Sequence, residues 1–171
     1  IGGLAGDAIT VGVSNVGLGY NTLGLETTGS GSVAVGTNAL ASQNFTGGTV
    51  SYNVGVGHHA GLSVTTGTAN TLIGGLAGDA ITTASNNTAV GYNSLGASTT
   101  GASNVALGAY TLDANTTAHN NTAVGYATLT ANTTASNNTA IGYRSLLSNT
   151  TGTSNVAVGA NTLDANTTAH N

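Results

Sequence analysis

The side chains that could carry chemistry are few: one cation, Arg144, five acidic residues and four histidines in 171 residues. His58 and His59 form the one adjacent titratable pair. A metal ion would need further ligands converging with them. Successive residues of a strand face opposite ways, so the two are expected to serve structure or surface rather than share an ion. His119 and His170 stand at the same place in two copies of one repeated block, which makes them part of the repeat. Asp113 and Asp164 are equivalent in the same way, and Asp7 and Asp79 fall in similar bends. Carboxylates that act as a pair lie within about 10 Å of each other, and the repeat described below puts Asp113 and Asp164 farther apart. There is no GxSxG elbow and no glycine-rich loop in a strand-then-helix setting. No catalytic residue, metal site or cofactor is expected, and the chain is not expected to be an enzyme.

Asn-x-Thr triplets recur, and those at Asn115, Asn132, Asn149 and Asn166 are candidate glycan acceptors. A chain rich in Asn and Thr also generates such triplets by chance.

The composition explains the scarcity. Charged residues are 4%, against about 25% in an ordinary globular domain. There are 27 glycines and no Pro, Cys, Met or Trp, and the net charge is −4. One cation cannot neutralise a phosphate backbone, which argues against nucleic-acid binding. The acids are too few for a calcium-loaded repeat. Without Cys there is no disulfide or thiolate chemistry. No apolar run approaches the ~18 residues of a membrane-spanning helix.

Position in the repeat decides the rest. "NNTAVGYNSL" at 86 returns as "NNTAVGYATL" at 120 and "NNTAIGYRSL" at 137. The glycine of this phrase falls at Gly2, Gly19, Gly36, Gly57, Gly74, Gly91, Gly108, Gly125, Gly142 and Gly159. The step is 17 residues everywhere except between Gly36 and Gly57, where it is 21. The segment 41–53, "ASQNFTGGTVSYN", therefore holds a four-residue insertion. Residues 1–171 read as a single repeat domain, a segment of a longer fibrous chain.

Counting from that glycine, an aliphatic residue precedes it (Leu18, Val35, Val90, Ile141) and Val or Thr stands two positions earlier (Val16, Val33, Thr88, Thr139). Between them lies Ala or Gly in most units. This period of two marks a strand, bulky on one face and small on the other. Asn recurs four before the glycine, Leu four after it, and a Thr pair eight and nine after it, where a second short strand is expected.

Identical residues at a fixed spacing stack best in a parallel β-solenoid, here an all-β roll of ten 17-residue coils. Each coil rises about 4.8 Å. The aliphatic columns are expected as ladders inside the tube, with the asparagines bonding at its bends. The Ala/Gly face is then left outside, where it either meets water or lets a neighbouring chain approach. Thin burial per coil favours the second.

At "GSVAVGTNAL" (31–40), "NNTAVGYNSL" (86–95) and "SNVAVGANTL" (154–163) the pattern resembles the head repeats of YadA-type trimeric autotransporter adhesins, and similar repeats occur in phage tail-fibre-like proteins. The resemblance covers every unit. It implies a left-handed roll, a side-by-side homotrimer around a shared apolar centre, and display at a cell or virion surface as an extracellular adhesive fibre. It also implies that Val33, Val35, Thr88, Val90, Val156 and Val158 are core positions. The Tyr that follows the glycine in several units (Tyr20, Tyr92, Tyr126, Tyr143) is not part of that motif.

The expected function is thus a structural fibre segment whose first partner is itself and whose second is a host-surface protein or glycan. The insertion offers Phe45 and Tyr52, near His58 and His59, as a possible surface contact; a tolerated bulge is the plainer reading. An ice-binding solenoid with Thr and Asn ladders is the competing function.

Overall fold

The Val/Thr–Ala–aliphatic triplet forms one short strand per repeat, because its β-branched residues suit extended backbone and the glycine after it permits a sharp turn. The computed structural model describes residues 2–170. Its strands are β1 (Val16–Leu18), β2 (Val33–Val35), β3 (Val54–Val56), β4 (Thr71–Ile73), β5 (Thr88–Val90), β6 (Val105–Leu107), β7 (Thr122–Val124), β8 (Thr139–Ile141) and β9 (Val156–Val158). They form a single parallel sheet in the order β1 to β9, each pairing with the strand one repeat along. Register follows the sequence columns: Val33 pairs with Val54 and Thr88 with Val105. The four-residue insertion does not shift it. Eight laps separate β1 from β9, making a parallel β-solenoid with no helix among the described residues. The tenth register of the sequence begins at Ile1, outside the described residues.

Between strands the chain bends continuously, and its N–H groups still bond one lap away. Gly91 N–H donates to Ile73 O at 2.8 Å, Leu95 N–H to Thr111 O at 3.0 Å and Ala97 N–H to Asp113 O at 2.9 Å. The second strand expected at the Thr pair does not form. Thr99 and Thr100 N–H both aim at Thr116 O, at 3.0 and 3.3 Å, which is a bend and not a ladder. The turn after each strand is tight enough to require glycine. Gly91 has φ +132°, and a Cβ there would lie 2.6 Å from the carbonyl carbon of Gly108 in the next lap.

The orientation of the strands reverses the expectation. The small central residue points inward, with Ala34, Ala89, Ala106, Ala123, Ala140 and Ala157 all buried. The flanking Val, Thr, Leu and Ile point outward. Val33, Val35, Thr88 and Val90 are half-buried, while Val156 and Val158 are exposed. These six are therefore not core positions of the solenoid.

Lumen volume is the cause. Leu23, Leu40, Leu95, Leu112, Leu129 and Leu146, four residues after the glycine, fill the centre and are almost fully buried. They reach it from left-handed backbone, φ +49° to +52°, a conformation that costs a non-glycine residue about 1–2 kcal/mol. With Leu there, the strand can add only Ala. Where Gly61 and Gly78 replace the leucine, the strand centre becomes Leu72, whose Cδ atoms occupy the space beside both glycines. Large and small trade places, and the volume is conserved.

This arrangement sets opposite costs for the two strand faces. Ala106→Val overpacks the lumen and is expected to cost about 1–3 kcal/mol, whereas Val124→Ala on the outer face costs under about 1 kcal/mol. Denaturant unfolding of the two variants, each carried in the monomeric chain, checks this; a larger loss from Val124→Ala there contradicts the inward placement of Ala.

Candidate functional site

Because Ala faces in, two columns of larger residues face out along the whole sheet. One column runs Val16, Val33, Val54, Thr71, Thr88, Val105, Thr122, Thr139 and Val156. The other runs Leu18, Val35, Val56, Ile73, Val90, Leu107, Val124, Ile141 and Val158. Paired strand to strand, they form a continuous ribbon without a charged residue. With nine rungs about 4.8 Å apart it is roughly 40 Å long. Beside it, across the recurring glycine, runs a strip of exposed tyrosines. Tyr92 and Tyr110 have ring centroids 5.4 Å apart, Tyr110 and Tyr126 6.0 Å, and Tyr126 and Tyr143 5.7 Å. Arg144 closes the strip, its guanidinium carbon 6.0 Å from the Tyr143 centroid.

Phe45 and Tyr52 part company. Phe45 is 4% exposed, tucked against the wall where Thr28 Oγ1 donates to its carbonyl at 2.6 Å. It offers no ring to a partner and so is not a surface contact. Tyr52 is 68% exposed. The insertion leaves the rod as a turn with its tip at Gly47 and Gly48, where an added Cβ would meet nothing within 4 Å.

His58 and His59 do not diverge as strand residues would. His59 has φ +59°, so the pair lies in a turn. Their rings stack at 3.8 Å, and His59 Nε2 sits 3.0 Å from Asn38 Nδ2. Among the described residues no three His, Cys, Asp or Glu side chains converge. His119 and His170 each accept a backbone N–H of the preceding lap at Nδ1, both at 2.9 Å. Serines at the same column do likewise, as where Ser85 Oγ accepts Thr68 N–H at 2.9 Å.

The sequon asparagines turn toward the lumen. Asn115, Asn132 and Asn149 are buried in the lumen. Each Nδ2 is engaged: Asn132 donates to Asn115 Oδ1 at 3.3 Å and to Ala135 O at 3.0 Å, and Asn149 to Asn132 Oδ1 at 3.2 Å and to Gly152 O at 2.9 Å. Asn115 donates to Ala118 O at 3.3 Å. Asn166, partly buried, continues the ladder to Asn149 Oδ1 at 3.2 Å.

A second ladder, eleven residues earlier in each lap's path, is fully formed. Asn70, Asn87, Asn104, Asn121, Asn138 and Asn155 each donate Nδ2 to the Oδ1 or backbone of a neighbour. Each Oδ1 from Asn70 to Asn138 accepts the backbone N–H of the next asparagine at 2.9–3.0 Å. Sequence reasoning missed Glu26, which lies fully buried in the lumen. Its Oε1 accepts Gly29 N–H at 2.6 Å and Phe45 N–H at 3.2 Å, and its Oε2 accepts Gln43 Nε2 at 2.9 Å. The signal was available: Glu26 and Gln43 stand where other laps place the sequon asparagine.

Searched against family models, curated proteins and solved structures, the chain matches none.

Burial raises the Asp113 carboxyl above its ordinary 3.8, against the pull of hydrogen bonds from the Ala114 and Asp113 backbone, and Asp113 Oδ1 is buried without a partner. The folded state thus holds this proton more tightly than the unfolded chain does. Asp113 weakens the fold at neutral pH, and that cost disappears as pH falls through the raised value. Asp113→Asn is expected to raise the Tm at pH 7 and to leave it unchanged near pH 3. Thermal unfolding at both values checks this; no rise at pH 7, or a rise confined to acid, contradicts it.

Proposed function

We propose that this chain is a structural segment of an extracellular adhesive fibre, in which copies of the solenoid pack side by side through the outward ribbon of β1–β9. The observation that carries the reading is that ribbon: two unbroken columns of Val, Leu, Ile and Thr, uncharged over all nine strands. A water-facing apolar strip of this length marks an interaction surface.

Its dimensions favour a closed assembly. A strip of roughly 40 Å by 10 Å covers on the order of 400 Å², about half of what each partner hides in a stable two-chain interface. An array with more laps supplies the remainder. Three left-handed solenoids around a shared apolar axis, each counting ten coils, cover all three strips at once and fit the resemblance to trimeric adhesin heads. The outward Val33, Val35, Thr88, Val90, Val156 and Val158 then become the core of the assembly rather than of the single chain. The protruding turn and Tyr52, which lie off the ribbon, remain free for a host-surface protein or glycan. Neither the ribbon nor the buried ladders offer groups for catalysis, and the reading assigns none.

One observation supports the second reading, an ice-binding solenoid. Thr71, Thr88, Thr122 and Thr139 stand on the outer face beside Ile73, Val90, Val124 and Ile141, an array of methyls and hydroxyls at the spacing of the rungs. The Thr pairs themselves do not serve it. Thr99 Oγ1 donates to Thr116 O at 3.2 Å and Thr116 Oγ1 to Thr133 O at 3.1 Å, and the asparagine ladders are inside.

Light scattering separates the readings. The chain is expected to be a multimer, and Val90→Asp with Val124→Asp is expected to give a monomer with unchanged β circular dichroism. A monomeric parent chain with strong thermal hysteresis would replace the fibre by the ice-binding reading.

A further inference from the structure

The tyrosine strip is continuous for a reason that the repeat alone does not supply. In the laps of Gly91, Gly125 and Gly142 the ring comes from the residue after the glycine: Tyr92, Tyr126 and Tyr143. In the lap of Gly108 that residue is Ala109. The ring comes instead from Tyr110, one place on, where φ +56° lets the side chain fall back between its neighbours. Tyr110 meets Tyr92 at an interplanar angle of 75° and Tyr126 at 80°, and Tyr126 stacks on Tyr143 at 12°. Four successive laps thus present one ring each, 38–50% exposed. Tyr20 and Tyr52 make no ring contact among the described residues.

The chain has no Cys, Met or Trp. The side chains that normally give up an electron first are absent, so a one-electron oxidation ends on tyrosine. Within the strip, each radical lies next to a second phenol at ring-contact distance.

We propose that Tyr92, Tyr110, Tyr126 and Tyr143 are a site of oxidative coupling that joins neighbouring laps of one chain through dityrosine links. The co-reactant is hydrogen peroxide acting through a haem peroxidase. Two phenols each lose one electron and the phenolic proton. The two radicals join by a carbon–carbon bond between ring positions ortho to oxygen. The ortho hydrogens shift to the oxygens and restore both aromatic rings. The pair loses two hydrogens in all, and the peroxide takes up two electrons and two protons to become two waters. Such a link fastens one lap to the next on the outside, where the asparagine ladders fasten them within, and it does not depend on how many chains assemble.

The test treats the full chain at high dilution with peroxidase and hydrogen peroxide, then reads fluorescence and maps linked peptides. The expected products are single chains that have lost pairs of hydrogens, with links at 92–110, 110–126 and 126–143. Tyr110→Phe keeps the aromatic contact and removes two of the three neighbouring pairs, so link yield is expected to fall by about two thirds. Tyr52→Phe is expected to leave it unchanged. Links that involve Tyr20 or Tyr52 as often as the strip, links formed only between chains, or the same pattern and yield from the urea-unfolded chain would overturn the proposal.

Discussion

A buried side-chain amide that must find its partner one lap away governs this fold. Asn87, Asn104 and Asn121 each accept the backbone N–H of the next ladder asparagine at 3.0, 3.0 and 2.9 Å. Their Nδ2 groups bond a backbone carbonyl fourteen residues on, at 2.9–3.0 Å. The amide thus replaces a stretch of sheet that the bend cannot supply. An unpaired buried amide costs about 1–3 kcal/mol, and a lap of the wrong length would orphan several at once. This explains why the repeat length barely varies. It also explains where it does: the extra residues between Gly36 and Gly57 leave the wall as an exposed turn, and no inward column moves. The lumen beside that turn is repaired by other polar groups, with Gln43 bonding Glu26, Ser32 and Asn53 at 2.9, 2.7 and 2.9 Å.

A lumen with two asparagine ladders and a leucine column has room for little else. That is why the strand turns its small residue inward and its β-branched residues to water. Internal economy and external function are therefore one fact seen from two sides. The better the amide ladders fill the tube, the more apolar surface the strand must show outside. That surface is what the proposed assembly uses.

The period, the strand and its parallel in-register pairing were legible because each rests on residue identity at a fixed spacing. The glycine that sets the period also sits at the tight turn, as at Gly36 and Gly91. Which strand face turned inward was not legible from alternation, since a period of two defines two faces and labels neither. The answer lay in covariation across the lap: Leu72 appears at the strand centre where Gly61 and Gly78 have vacated the leucine column. The sequons misled for a related reason. Asn115 and Asn132 carry a surface motif, but their column also holds Val64 and Ile81, both buried, and an apolar residue in a column points inward. The burial of Phe45 was not legible because the residue falls inside an insertion, whose first residues still line the wall. The stacked His58 and His59 could not be foreseen without the left-handed backbone at His59.

Amide hydrogen exchange read residue by residue tests the lap-to-lap bonding most directly. The account predicts that the backbone N–H and side-chain Nδ2 protons of Asn70, Asn87, Asn104, Asn121 and Asn138 belong to the slowest class, recurring every 17 residues. Side-chain amides exchanging at the rate of free asparagine, or protection that ignores that spacing, would contradict it.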